Sequence, residues 1–561
     1  MNIQELVTIV RRQYGEMKEE HDKWNPEWQD VIDYICRKNI DLSDAQKRDA
    51  KSKPRTLPRL FDTTAIEAAK LARYGLQGYT VSQALKWLKL VTDDEKLMEM
   101  PGMREWITDC EKHIYSVLEK SNFYEVIGEG IFDAVTIGTT LCYPEENENL
   151  NGIVFTIKDI SEFVIAENRD AEIDTVYRRF EMKLYRAADA FDLPRELKDK
   201  VDANPNQPVV FTHAVFPTKA RDYAKAEISH DWAYTSVYII DGQNQWAHVG
   251  GYRTLPYSVW RWEKQSGETY GKSPGLDSIS DVMMANQMSK TTLRQVQKQV
   301  DPPMAVFGQS PVPDLTPGIR VKLKSNADLP TPIQTGIGAY QLAIDQFNRV
   351  AERIRRMFHS DLFIMLEQTN GQMTAREVIE RQGEKAAVLG AIVSRMSSEF
   401  LDPIIDRVWD IEMNAGRMPQ PGDDLVAALL AKAEESGKQD GTRFKIEYLG
   451  PLAQSQKKYF ETSGIQTTLG VILPLTQFKP DILDNIDLDK MMRVQAQANG
   501  LAPDMIVEED VIKKMRAARA QQQAQQMQQA QMMEAAQAVA KAGTAPDPGS
   551  PGDILMRMSG A

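Results

Sequence analysis

YGKSPGLDSISDVMMANQMSKTTLRQVQKQVDPP, residues 270–303, reads as one long helix with firm ends. Ser273 is placed to cap it, and Pro274 suits the first turn, where a missing N–H costs nothing. Asp301-Pro302-Pro303 must stop it, because two prolines remove donors and push the chain into an extended path. The span between the stops is about 40 Å at ~1.5 Å per residue. Lys290, Arg294 and Lys298 recur every four residues and share one face, either a solvated stripe or the lining of a channel. The stretch opens with Gly271-Lys272-Ser273, which invites a phosphate-loop reading. That loop needs GxxxxGK[ST], whose four intervening residues wrap backbone N–H groups around the phosphates. Here the preceding glycine, Gly267, is one residue too close, no apolar strand leads in, and Pro274 removes an N–H. A turn and a helix cap account for it better.

On the N-terminal side lies a β-rich module, residues 150–262. Residues 152–157 (GIVFTI), 163–166 (FVIA) and 209–216 are short, β-branched or aromatic, and bounded by turns. Residues 234–240 (YTSVYII), the Asp241-Gly242 turn and residues 246–249 predict a hairpin, since Asp-Gly suits positive φ. Before it, residues 1–142 read as mostly helical, with an Ala-rich helix at 64–75 expected to end at a glycine cap. On the C-terminal side, a Pro/Gly-rich insert at 301–338 carries strand-like pieces at 305–307 and 319–323. In the second piece Arg320, Lys322 and Lys324 alternate with Val321 and Leu323, so the three cations share a face. That face is either simply solvated or a positive patch for DNA phosphates or an acidic partner.

A returning helix spans 340–358, its apolar residues Tyr340, Ile344, Phe347 and Ile354 forming one stripe of the kind that packs lengthwise on a neighbour. Together the two helices make a long hairpin with a folded tip. A polar break at 359–373 holds Gln368, Thr369, Asn370 and Gln372. Helix resumes over 374–415, started by a Thr374–Glu377 capping box and kinked at Pro403. Residues 443–448 predict a strand and 452–515 more helix. The Gln/Ala/Met-rich tail allows a helix, ending in a Pro/Gly-rich segment of disordered composition.

Composition narrows the function. Over 561 residues the net charge is −13, which argues against a tight nucleic-acid binder while permitting a protein that DNA passes through. Cys36, Cys110 and Cys142 are far apart and form no zinc pattern, as expected of inert thiols in a reducing compartment. Six scattered histidines give no HExxH, the acids Asp481, Asp484, Asp487 and Asp489 lack an EF-hand glycine, and no GxSxG occurs. Nothing supports an enzyme, a metal or a cofactor. The N-terminus has no signal-peptide pattern, and no apolar run approaches the ~18 residues of a membrane span. A soluble protein assembled in a cytoplasm is expected.

The order of these parts resembles the portal (head-to-tail connector) proteins of tailed bacteriophages, the short-tailed kind especially. The wording agrees at YGKSPGLDSISDVMMANQM, VDPPMAVF, MTAREVIERQGE (373–384), EFLDPIIDRVWDI (399–411) and IEYLGPLAQSQK (446–457), across roughly residues 20–515. The resemblance implies an α+β, mainly helical fold assembling as a dodecameric ring at one capsid vertex. Residues 1–270 and 374–449 would form the wing, 271–300 and 339–358 the stem, and 301–338 the clip. The channel loop would be 359–373, the crown 450–515, and 516–561 a tail. Implied partners are double-stranded DNA in transit, the terminase large subunit, major capsid and scaffolding proteins, and a tail adaptor, with no membrane. Lys290, Arg294, Lys298, Arg320, Lys322, Lys324, Gln368, Thr369, Asn370 and Gln372 are then candidate channel or clip contacts. Tyr340, Ile344, Phe347 and Ile354 are candidate subunit-packing residues. The uncharged loop departs from a basic DNA-gripping one. A P-loop packaging motor fits poorly, and another oligomeric virion or scaffold protein is the remaining alternative.

Overall fold

A computed structural model describes residues 3–42, 57–91, 102–191, 193–218, 232–242, 246–302, 304–305, 331–332, 339–360, 363, 389–422, 445–449, 491–492, 509–542 and 548–549. The chain is mixed α+β and divides into two units, Met1–Gln456 and Lys457–Ala561. It opens with α1 (Ile3–Asp22) and α2 (Asn25–Val31), which runs into a π-helical turn at Ile32–Cys36. Next comes α3 (Thr64–Thr80), and here the expected glycine cap is corrected. The helix continues through Gly75 and Gly78, because Gly75 serves packing: a Cβ there would lie 2.2 Å from the Phe363 ring.

Strand β1 (Leu88–Val91) and helices α4 (Met103–Lys120) and α5 (Phe123–Ile137) follow. Sheet therefore starts earlier than the sequence pattern suggested. Then come β2 (Thr139–Glu146), β3 (Ile153–Lys158), β4 (Phe163–Glu167) and β5 (Ile173–Lys183). Two short helices, α6 (Leu184–Ala190) and α7 (Arg195–Lys198), precede β6 (Pro208–Pro217), β7 (Tyr234–Ile240), β8 (Trp246–Tyr252) and β9 (Ser258–Arg261). The β7–β8 pair is antiparallel, with Gly242 at φ +77° as the turn requires. Strand β5 escaped the sequence reading because Asp174, Arg178, Arg179 and Glu181 break its alternation.

These strands form an antiparallel meander, β4-β5-β6-β7-β8, and a separate sheet in the order β3-β2-β9. Helix α1 lays Val7 and Val10 on one face of the meander, against Val164, Tyr177, Ala214, Val237 and Ile239. The other face carries the register row Arg178, His213, Tyr238 and His248. There His213 stacks on Tyr238 at 3.9 Å and bonds the Tyr257 hydroxyl at 2.5 Å and Ser236 Oγ at 2.8 Å.

The longest helix, α8 (Pro274–Val300), matches the quoted stretch, with Ser273 Oγ accepting from Leu276 N at 3.1 Å. Strands β10 (Met304–Ala305) and β11 (Thr331–Pro332) pair, and α9 (Ala339–Met357) returns antiparallel to the expected helix boundaries. The 319–323 strand, the capping box and most of 450–508 lie outside the described residues. Residues 389–396 are helical and enter a π-turn at Ser397–Leu401, followed by α10 (Asp402–Asn414) with Pro403 in its first turn. Pro403 therefore directly follows that π-turn, where the helix departs from regular α bonding. Strand β12 (Lys445–Tyr448) comes back to pair with β1. In the second unit the Gln/Ala-rich tail is helical as α11 (Glu509–Ala542).

Burial, with Arg178 and His248 nearby, holds His213 well below the ordinary histidine value, and burial likewise lowers His21. A neutral buried histidine contributes stability that is fully present above its unfolded value near ~6.5 and is lost as pH falls through the folded value. Denaturation between pH 7.5 and 5 should therefore show falling stability, with a slope of up to about 1.4 kcal/mol per pH unit for each histidine. His213→Gln, which keeps a hydrogen-bonding side chain, should flatten that slope.

Candidate functional site

The base of α8 is built into the chain's core. Tyr270 is fully buried and meets Trp28 edge-on at 5.2 Å and His21 at 5.6 Å, while its hydroxyl accepts from Ile165 N at 3.3 Å. Trp28 in turn donates Nε1 to the Ile137 carbonyl at 3.1 Å. The Gly271-Lys272-Ser273 turn uses its polar groups inward. Gly271 N donates to Thr139 Oγ1 at 2.9 Å, Lys272 N to Glu263 O at 2.8 Å, and Ser273 Oγ to Thr136 O at 2.7 Å. No phosphate cradle is left, so the turn is a docking joint. Space there is tight enough to demand glycine. A Cβ on Gly271 would sit 2.4 Å from Gly138 O, and one on Gly275 2.2 Å from Thr136 O.

Burial then declines along the pair of helices. Leu276, Val282 and Ala285 are buried at the base of α8, and Asn286 Oδ1 accepts from Phe61 N at 2.6 Å, strapping the 57–63 segment alongside. Beyond Asn286 no α8 residue is fully buried. Leu293 is 47% and Val300 81% exposed, and across on α9 Leu342 is 63% exposed. Phe358, Ile354, Ala351 and Val350 are buried at the other end of α9, and Arg353 pairs with Asp281 at 2.5 Å. The hairpin is thus rooted at one end and leaves apolar side chains in solvent toward the other.

The predicted residues distribute unevenly over this frame. Lys290 is half-buried with its ammonium 5.8 Å above the Phe61 ring, whereas Arg294 and Lys298 are exposed. Ile354 is fully buried inside this chain's own core and offers no surface to another chain. Phe347 packs partly on that core, and Ile344 is half-buried. The Tyr340 side chain, Arg320, Lys322, Lys324, Gln368, Thr369, Asn370 and Gln372 lie outside the described residues.

Sequence reasoning missed Arg261, which is 1% exposed. Its Nη2 donates to Glu399 Oε1 at 2.8 Å, its Nε to Glu399 Oε2 at 3.2 Å, and its Nη1 to Glu167. Lys264 joins Glu167 at 2.7 Å. A cavity of about 400 Å³ adjoins, lined by Tyr234, Tyr257, Arg261, Glu399, Pro403 and Asp406 among others. The available signal was a lone arginine inside the apolar run SVWRW. Among the described residues no cluster of His, Cys, Asp or Glu could hold a metal, and no helix is long and apolar enough to cross a membrane. The Cys36, Cys110 and Cys142 thiols are free, and burial pushes each up to about 12.

Residues 8–507 match the family model described as bacteriophage head to tail connecting protein. The chain is 25% identical over 537 residues to a probable portal protein of Bordetella phage BPP-1, covering 92% of this chain and 91% of that one. It is 26% identical over 533 residues to a portal protein of Salmonella phage epsilon15, with 91% and 90% covered.

The burial gradient separates two kinds of apolar residue on α9. Ile354→Asp should destabilise the isolated chain by about 3–5 kcal/mol, because the new carboxylate has no partner in the core. Leu342→Asp should leave it within about 0.5 kcal/mol of the parent. Chemical denaturation of both variants checks the contrast.

Proposed function

We propose, given that the chain belongs to the bacteriophage head to tail connecting protein family, that copies of it close into a dodecameric ring at one capsid vertex. As a portal-type protein it is a virion component. The observation that carries the ring is the burial gradient along α8 and α9. A monomer gains nothing from exposing Leu293, Val300 and Leu342, whereas side-by-side copies of the hairpin would cover them. In this reading α8 and α9 are the stem, residues 301–338 the clip, 359–373 the channel loop and 450–515 the crown. Residues 1–270 and 374–449 form the wing, and 516–561 the tail.

The ring passes double-stranded DNA during packaging and ejection. It docks the terminase large subunit, then a tail adaptor, and meets the major capsid and scaffolding proteins around its rim. Electrostatics suit passage better than grip. Each chain carries −13, so a ring repels the duplex within a Debye length of about 8 Å in physiological salt. Rings of Arg294 and Lys298 would interrupt that repulsion locally, and Lys290, half-covered by Phe61, would add less.

Electron microscopy of the purified chain should show annular particles with an axial opening wide enough for a DNA duplex. Particles without an opening would instead favour a virion protein that DNA does not traverse. The double variant Val300→Asp/Leu342→Asp should remain folded by circular dichroism yet run as a monomer in light scattering. Intact rings from it would remove the stem from the assembly interface.

A further inference from the structure

Arg261 connects two places that are otherwise separate. On one side it binds Glu399 through Nε, Nη2 and its backbone N, the last at 3.1 Å. Glu399 belongs to the π-turn Ser397–Leu401, whose i→i+5 bonding accommodates one residue more than an α-helical turn. Arg395, four residues earlier, approaches the same carboxylate at 3.6 Å. On the other side Arg261 binds Glu167 and donates Nη2 to the Ala171 carbonyl at 3.2 Å. Ala171 sits at φ +63°, in the left-handed region that a residue with a Cβ rarely occupies. Its turn is exposed and is organised by Asn168, whose Oδ1 accepts from Asp170 N at 2.8 Å and Glu172 N at 3.0 Å.

A π-turn can relax to α-helix by expelling its extra residue. Everything before it then turns by about 100° and shifts by ~1.5 Å relative to α10. That motion would take Leu389 and Met396, both buried, out of their contacts, including the packing of Leu389 against Tyr79 of α3 and against Phe363. Relaxation would also pull Glu399 from Arg261, leaving a buried guanidinium short of a partner. The cavity beside Ser398, Glu399 and Pro403 provides room for the displaced turn.

We propose that the Arg261–Glu399 pair is a register lock: it holds the π-turn, and through Ala171 it ties the seating of helix 389–396 on α3 to the surface turn 168–172. Anything that presses on or binds that turn shifts the helix register by loosening Arg261. The lock lies within one chain and does not depend on a ring.

The test is amide hydrogen exchange of the full chain, read over residues 389–401. The parent should protect these amides strongly. Glu399→Ala should accelerate their exchange by roughly tenfold, the step that ~1.4 kcal/mol produces. Asn168→Ala, which disturbs only the surface turn, should accelerate amide exchange over residues 389–401 while the melting profile persists. Folded Glu399→Ala protein whose amides over these residues exchange at the parent rate overturns the lock. If that variant does not fold, unchanged exchange in Asn168→Ala overturns the coupling.

Discussion

The structure depends on one close approach. At Gly138, Gly271 and Gly275 the α5–β2 turn and the start of α8 come so near that a methyl group on any of the three would overlap a backbone oxygen. Gly138 is also in the left-handed region, at φ +95°, where it ends α5 and donates to the Asp133 and Ala134 carbonyls. Because the contact is backbone on backbone, it cannot be relieved by a rotamer change. It sets the position of α8 against both the helical layer and the β3-β2-β9 sheet. Tyr270, one residue before, carries the same constraint to α1, α2 and β4. The paired helices are therefore aimed by the least adjustable point in the core.

From that rigid root the hairpin changes character along its length. Its base is packed like any protein interior, while its far part presents leucine and valine to water beside exposed cations. Packing within the chain thus occupies only the base of the two helices and leaves the apolar side chains of the far segments uncovered.

Much of this was legible in sequence because it rests on local chemistry. Ser273-Pro274 and Asp301-Pro302 mark the ends of α8 by capping and by lost donors, and the Asp241-Gly242 turn marks a hairpin by its φ requirement. The apolar stripe of residues 340–358 was equally plain, but periodicity says only that a face is buried, not what buries it. Hence Ile354 could not be assigned to this chain's own core without coordinates. Gly75 misled because a glycine near a helix end signals a cap as readily as a notch for the Phe363 ring. Arg261 was hidden for a different reason. An isolated charge in an apolar strand becomes interpretable only when the acids that meet it, 94 and 138 residues away, are brought into place.

The three cysteines have a consequence for the life of a virion. Each is free, and burial raises each thiol above its ordinary value, so little thiolate is present to exchange with glutathione. A virion component that passes between surroundings of different redox potential is open to thiol oxidation wherever thiolate is present. A chain whose thiols are insulated in this way keeps the same covalent structure in either surroundings.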